Sequence, residues 1–197
     1  MDEVTRPAKR YRSHANFPAR RRVLFWLALL ILPNLASARL DLSAAVIERL
    51  DSGLTVIVLE EPAFPLVSVQ VVYRSGAKHE PLGGTGLAHL VEHMAFRSTE
   101  NFPDTQVVSS IYAAGGEWHG YTWLDQTTYF ATVPKGELDL LLGIEADRMA
   151  RVLIPEADVE AERGAVLTEM HGYENDPLTV LQDYVLYLSF LAHPYRN

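Results

Sequence analysis

The segment at residues 86–97, which reads GLAHLVEHMAFR, constrains the fold more than any other part of the sequence. Its apolar residues recur at spacings of three and four positions, as Leu87, Leu90, Val91 and Met94. This spacing is the apolar stripe of an amphipathic helix. Because residues four apart lie about one turn from each other on one helical face, His89 and His93 are expected to project together. The segment therefore predicts a helix whose two imidazoles share one face and can reach a single ion.

Two imidazoles on one face of a helix can hold a metal ion. Zinc accepts neutral imidazole nitrogen at about 2.0–2.1 Å, and a catalytic zinc site usually has three protein ligands and one water. Glu92 precedes His93 and can lean over the same ion without binding it, in a position to take a proton from the water. The H-x-x-E-H order is the inverted form of the H-E-x-x-H zinc helix. In a chain with seven histidines, the motif alone is also compatible with two surface histidines beside a solvated glutamate.

A third ligand must come from another part of the chain, and the absence of cysteine leaves aspartate, glutamate and histidine as its sources. Glu169 lies on a separate predicted helix, and Glu162 precedes it by seven residues, two turns back on nearly the same stripe. One of these carboxylates could bind the ion while the other orients a ligand from behind. Further acidic residues crowd the same helix, namely Glu156, Glu160 and Glu174. Spacing alone does not choose among them.

The order of the remaining patterns indicates an α+β fold. β-Branched residues and turn signals predict strands at 44–50, 54–60 and 66–73, and a hairpin at 118–124 and 127–133. Caps and apolar spacing predict helices from Asp104 to Gly115, at 137–152, at 156–174 and after Asp176-Pro177. This order favours a two-layer domain, with an antiparallel sheet packed against helices. We expect the domain to occupy residues 39–197.

The first 38 residues have the pattern of a secretory signal peptide. Three arginines at 20–22 precede an apolar run of about 13 residues, and residues 36–38 form an A-x-A cleavage site. The run is shorter than the roughly 20 residues that span a bilayer, although an uncleaved membrane anchor is the alternative. We therefore expect a secreted protein in the bacterial periplasm, which meets the membrane only through this segment. Because cysteine is absent, no disulfide framework accompanies export.

The charge distribution argues against nucleic acid as a partner. The whole chain has a formal net charge of −8, but residues 1–38 carry seven basic and two acidic side chains. The remainder therefore holds ten basic and twenty-three acidic residues, a net charge of −13. Phosphate binding needs clustered lysine and arginine, which such an acidic body does not supply.

The segment at 86–96, together with the YRSGAKHEPLGGT before it, resembles the active-site helix of the pitrilysin/insulinase family of zinc peptidases. The family's third ligand is a glutamate about 76 residues after the second histidine, within an E-R-x-x-V-x-x-E pattern. That count ends at Glu169, inside the stretch ERGAVLTE that begins at Glu162. The resemblance implies one Zn²⁺ and two catalytic carboxylates, with His89, His93 and Glu169 as ligands, Glu92 as base and Glu162 as auxiliary residue.

The stretch GGEWHGYTWLDQTTY at 115–129 resembles the family pattern G-G-x-x-N-A-x-T-x-x-D-x-T-x-Y. In the family this strand pairs with the extended backbone of the substrate, a mode of binding in which a peptide adds a strand to a sheet. The resemblance implies substrate-binding roles for His119, Gly120 and Tyr121. The sequence departs from the pattern at two of these positions, where asparagine and alanine are usual. Gly120 is expected to loosen the strand locally.

The resemblance implies a zinc-dependent endopeptidase that hydrolyses peptides or small unfolded proteins. It extends from about residue 42 to the last residue, and the F-x-x-H-P-Y stretch at 190–195 lies inside the first domain of family members. We therefore expect the N-terminal part of a longer protein, in which a second homologous domain or subunit encloses the substrate. The alternative within the family is a non-catalytic, peptide-binding partner subunit. A di-iron carboxylate bundle is disfavoured, because no glutamate has a histidine three positions later.

Overall fold

The computed structural model describes residues 42–81 and 83–196. The predicted signal peptide at 1–38 lies outside these residues. Among the residues described, no helix has the length and apolar character needed to cross a membrane. The chain divides after Glu60 into two compact units.

The described part of the first unit contains a β-hairpin. Strands β1 (Val46–Arg49) and β2 (Thr55–Val58) are antiparallel, with Val46 opposite Val58. The turn between them closes through a hydrogen bond of 2.8 Å from the amide of Gly53 to the carbonyl of Leu50. Gly53 has a φ of 89°, which glycine adopts without steric cost. The predicted hairpin is confirmed.

The second unit is built on a three-stranded antiparallel sheet. Its strands lie in the order β3-β5-β4, with the bounds Leu66–Tyr73 for β3, Glu117–Thr122 for β4 and Thr127–Pro134 for β5. The central strand β5 pairs Ala131 with Val69 on one side and with Trp118 on the other. Because side chains alternate across a strand, these three residues lie on the same face of the sheet.

Within the described residues, five α-helices accompany this sheet: α1 (Leu87–Arg97), α2 (Gln106–Ala113), α3 (Leu138–Ala150), α4 (Glu156–Glu174) and α5 (Pro177–Ser189). A buried apolar cluster joins one face of β5 to α2 and α3 and consists of Val107, Ile111, Ala131, Val133, Leu141 and Ile144. A neighbouring cluster joins the same strand to α1 through Ala95, Phe96 and Tyr129. Helices therefore cover one face of an antiparallel sheet, which confirms the predicted α+β class.

The start of α2 differs in detail from the prediction. Asp104 was expected as the cap, but Asp104 and Thr105 both have positive φ, 52° and 65°, and the helix begins at Gln106. The amide of Gln106 bonds to the carbonyl of Pro103. The chain therefore makes a left-handed turn before the helix, which moves the aspartate away from the capping position. By contrast, Asp176 caps α5 through the amide of Thr179, at 3.0 Å.

A buried arginine fixes α1 against the sheet. Arg148, on α3, donates from Nε to the carbonyl of Ala95 at 3.1 Å, and its guanidinium lies 5.0 Å from the ring centre of Phe96 and 4.4 Å from that of Tyr129. It also forms a buried ion pair with Glu145. Burial raises the pKa of the Glu145 carboxyl, although the arginine beside it opposes the shift. This contact holds the C-terminal half of α1 in place.

Candidate metal centre

Three of the sequence-predicted residues meet where α1 crosses α4. His89 and His93 lie one turn apart on α1, and Glu169 comes from the C-terminal half of α4. The two Nε2 atoms are 3.2 Å apart. Oε2 of Glu169 lies 3.4 Å from Nε2 of His89 and 3.7 Å from Nε2 of His93. One ligand atom from each residue therefore points to a common centre.

The spacing of these three atoms suits a zinc ion. An ion held at about 2.0–2.1 Å in tetrahedral geometry separates its ligand atoms by about 3.3–3.4 Å. The three observed separations, 3.2, 3.4 and 3.7 Å, lie around this value. Two imidazoles and one carboxylate are also a common ligand set of catalytic zinc. With 46% of its side chain exposed, Glu169 leaves one side of the centre accessible to solvent.

Glu162 lies behind the three candidate ligands rather than among them. Its Oε2 is 2.9 Å from Nδ1 of His93, the ring nitrogen that faces away from the candidate ion. Its Oε1 accepts a hydrogen bond of 2.6 Å from Arg97. Partial burial alone would raise the pKa of the Glu162 carboxyl, but its bonds to Arg97 and His93 outweigh burial and hold this pKa below its ordinary value. A carboxylate in this position orients a ligating imidazole and increases its basicity.

Glu92 points from the same helix toward the sheet. It is only 6% exposed, and its Oε2 accepts a hydrogen bond of 2.6 Å from the hydroxyl of Thr122 on β4. Glu92 does not belong to the group of three ligand atoms. Its carboxylate therefore lies between the ligand-bearing helix and the edge strand of the sheet.

The three predicted substrate-binding residues lie in the middle of β4, which has one partner strand among the described residues. His119 and Tyr121 are exposed, and the ring of His119 stacks on Phe130 at 5.1 Å. Gly120 faces the opposite way, toward α1. A methyl group at residue 120 would lie 2.5 Å from Cε2 of Phe96. The strand therefore comes closer to α1 at this position than a larger residue allows without movement.

The expected loosening at Gly120 is not observed. β4 and β5 pair without interruption, from Glu117 opposite Thr132 to Thr122 opposite Thr127. Glycine weakens a strand where nothing replaces the missing side chain. Here the Phe96 ring occupies that space.

Sequence reasoning did not assign roles to Arg97, Asp158 and Thr122. Arg97 bonds to Asp158 at 2.9 Å as well as to Glu162. Helical spacing could have indicated both residues, because Arg97 follows His93 by four positions and Asp158 precedes Glu162 by four. Thr122 stood in the hairpin pattern without a role, since its contact with Glu92 depends on the packing of β4 against α1.

The sequence model of the family described as Insulinase (Peptidase family M16) matches residues 55–196. The chain belongs to this family. Among the curated relatives, an uncharacterized zinc protease of Mycobacterium leprae is 34% identical over 145 residues, which are 74% of this chain and 33% of the relative. The chain thus spans about a third of the length of the curated relatives it matches.

Solved structures have the same fold. A protease from Helicobacter pylori superposes with a TM-score of 0.71 and 28% identity, covering 77% of this chain and 37% of that protein. The periplasmic protease PqqL from Escherichia coli superposes with a TM-score of 0.67 and 23% identity, covering 74% of this chain and 17% of PqqL. The predicted resemblance to the pitrilysin/insulinase family is confirmed.

Proposed function

We propose that this chain carries the catalytic zinc site of a metalloendopeptidase that hydrolyses peptides or small unfolded proteins. The observation that carries the proposal is the convergence of His89, His93 and Glu169 at separations close to the edges of a tetrahedron. The name of the Mycobacterium leprae relative, a zinc protease, supports the same reaction class. The family match over residues 55–196 makes an accidental motif a poor explanation.

In this proposal the side chains around the centre have distinct roles. A bound Zn²⁺ would lower the pKa of water and polarise the scissile carbonyl. Glu92 takes a proton from the attacking water and passes it to the departing amine. Glu162 holds the ring of His93 in the orientation that presents Nε2 to the ion. Neither of these carboxylates needs to bind the metal.

The outer edge of β4 is the proposed substrate site. The amide of Trp123 bonds to the carbonyl of Gln126 in the hairpin. In an antiparallel ladder the bonded pairs alternate, so the next bonded residues on β4 are Tyr121 and His119. The backbone groups of Gly120, between them, point away from β5. An extended peptide that pairs with this edge would lie beside the carboxylate of Glu92.

The length of the relatives supports a proposal about the rest of the protein. Because the chain spans about a third of their length, we propose that a second homologous domain or subunit encloses the substrate. Residues 1–38 are proposed to direct export to the periplasm, the location named for PqqL. The acidic body of the chain, with a net charge of −13 beyond residue 38, supports a peptide rather than a nucleic acid as substrate.

Substitution of Glu92 by glutamine tests the reaction. The full-length protein should bind one zinc ion and cleave a fluorogenic peptide, and Glu92→Gln should keep the zinc while losing hydrolysis by at least about 100-fold. Glu174→Gln, at the exposed end of α4, removes the same charge away from the centre and should leave the rate unchanged. A fully active Glu92→Gln variant would remove the base role. Zinc binding without hydrolysis in the unaltered protein would favour the non-catalytic partner.

A further inference from the structure

The two oxygens of Glu92 have different surroundings. Oε2 accepts the hydrogen bond from Oγ1 of Thr122, at 2.6 Å. Oε1 lies beside the backbone of Gly120, where a methyl group would be 3.0 Å away. One oxygen is therefore held by a side chain, while the other faces a position that carries no side chain.

The direction of the bond to Glu92 follows from the neighbouring hydroxyl. Oγ1 of Thr127 donates to the carbonyl of Ser75 at 3.0 Å and lies 3.3 Å from Oγ1 of Thr122. A hydroxyl has a single proton, and carbonyl and carboxylate oxygens only accept. Because the Glu92 carboxylate only accepts, its short bond of 2.6 Å takes the single proton of Thr122. With the proton of Thr127 used on Ser75, the longer contact between the two hydroxyls has no proton of its own.

Thr122 is also a rigid point from which to hold a flexible side chain. It pairs with Thr127 in the regular register of β4 and β5, and its branched Cβ restricts χ1. Glu92 has three side-chain torsions, so a free carboxylate could turn in several directions. A bond to a charged group is shorter and stronger than one between neutral groups. The sheet therefore sets the orientation of a carboxylate that belongs to a helix.

We propose that Thr122 is a positioning residue for peptide hydrolysis, holding Oε2 of Glu92 so that Oε1 is the oxygen that takes the proton. This inference rests on the proposed function and deepens it. In the step concerned, an O–H bond of water breaks as the water oxygen attacks the scissile carbonyl carbon, and the proton moves to Oε1. The proton then passes to the amine nitrogen as the C–N bond breaks. Thr122 exchanges no proton with the substrate.

Two substitutions at residue 122 separate the hydroxyl from the methyl group. Thr122→Ser and Thr122→Ala both lose the methyl group, but only serine keeps the hydroxyl donor. A packing defect caused by the lost methyl group therefore affects both variants and does not contribute to the difference between their kcat values. In the zinc-loaded full-length protein, we expect Thr122→Ala to lower kcat about 10- to 100-fold with KM and zinc content unchanged. Thr122→Ser should stay within about threefold of the original kcat. Thr132→Ala, whose hydroxyl bonds to Ser68, is the matched control and should leave kcat unchanged.

A second measurement does not depend on turnover. Crystal structures of the metal-free variants should show the Glu92 carboxylate in place with serine at residue 122 and turned away with alanine. Equal kcat values for the two variants, or an unmoved carboxylate in both structures, would overturn the proposal. If the proposed function is wrong, the unaltered protein lacks zinc-dependent hydrolysis. The orientation of Glu92 in the two crystal structures still tests the role of Thr122 in that case.

Discussion

Arg97 and Glu162 link the two helices that carry the candidate ligands. Nη1 of Arg97, on α1, donates to Oε1 of Glu162, on α4, at 2.6 Å. The other oxygen of the same carboxylate lies 2.9 Å from Nδ1 of His93. A second nitrogen of the arginine bonds to Asp158, one turn earlier on α4, at 2.9 Å. Arg97 therefore supports the docking of α4 directly and the orientation of the His93 ring through Glu162.

Replacement of Arg97 should weaken metal binding although it touches no ligand atom. In Arg97→Met the Glu162 carboxylate loses its cationic partner and is free to leave His93. Loss of such a supporting contact typically lowers metal affinity about 10- to 100-fold. Zinc affinity is measured by competition with a chelator. The zinc affinity of Arg97→Lys should lie between those of the unaltered protein and Arg97→Met, because an ammonium keeps the charge but cannot reproduce the paired donors of a guanidinium.

The matched control for this prediction is Arg163→Met. Arg163 lies on α4 and pairs at 3.4 Å with Glu160, and both side chains are more than half exposed. Exposed pairs of this kind contribute little to stability. Zinc affinity should therefore stay unchanged. Equal losses of affinity in Arg97→Met and Arg163→Met would contradict the proposed link.

Glu169 is the only ligand candidate that comes from α4 in the described part of the chain. Glu169→Gln replaces a charged oxygen by a neutral amide, so we expect the purified protein to lose most of its zinc, as measured by elemental analysis. Glu160→Gln removes the same charge from the same helix and should retain the metal. Full zinc occupancy in Glu169→Gln would show that the ion has another third ligand.

Removing one partner of the buried pair of Arg148 and Glu145 should strongly destabilise the second unit. Arg148→Met leaves the glutamate buried without its cation, which typically costs about 3–5 kcal/mol of the free energy of unfolding. Urea denaturation of the metal-free protein measures this loss. The double substitution Arg148→Met with Glu145→Met removes the stranded charge and should recover part of it. A double variant no more stable than the single one would exclude this explanation.

The surroundings of Asp147 predict that the stability of the fold decreases at acid pH. Burial alone would raise the pKa of its carboxyl, but the hydrogen bonds around it, including those from Asn101 and Arg151, hold this pKa well below its usual range. A carboxyl with a depressed pKa in the folded state stabilises the fold above its unfolded pKa of about 3.9. This contribution is lost as the pH falls below that value and through the folded pKa.

Substitution of Asp147 by asparagine checks this dependence. Asp147→Asn should have a lower melting temperature near neutral pH and a shallower decline between about pH 5 and pH 2 than the unaltered protein. Asp139→Asn removes an exposed charge from the same helix. Its melting temperature should depend on pH in the same way as that of the unaltered protein. Parallel melting curves for Asp147→Asn and the unaltered protein would disprove the contribution.

The sequence predicted helices and strands well where local signals are strong. α4 was expected at 156–174 and is observed at Glu156–Glu174, because Pro155 before it and Asp176-Pro177 after it are local helix boundaries. The spacing of carboxylates on that helix left the third ligand open. Only the crossing of α4 over α1 brings Glu169 to the imidazoles and leaves Glu160 and Glu174 outside the group of three. A crossing angle depends on packing between distant residues, so local patterns do not encode it.

Contacts between the sheet and the helices could not be predicted from local patterns for the same reason. The strand and helix that carry Thr122 and Glu92 were both predicted, yet their hydrogen bond depends on how the sheet lies under α1. The resemblance supplied the residue types at the hairpin but no role for this hydroxyl. The predicted signal peptide at 1–38 lies outside the described residues and stays a prediction.

The division of the candidate ligands between two helices would tie metal uptake to folding. Glu169 follows His93 by 76 residues, and closing a loop of that length costs roughly 4 kcal/mol of chain entropy. An unfolded chain therefore offers an incoming ion little more than two neighbouring imidazoles. Once α1 and α4 have docked, the same ion becomes a cross-link between them, so zinc supply would govern the lifetime of the native state as well as its chemistry.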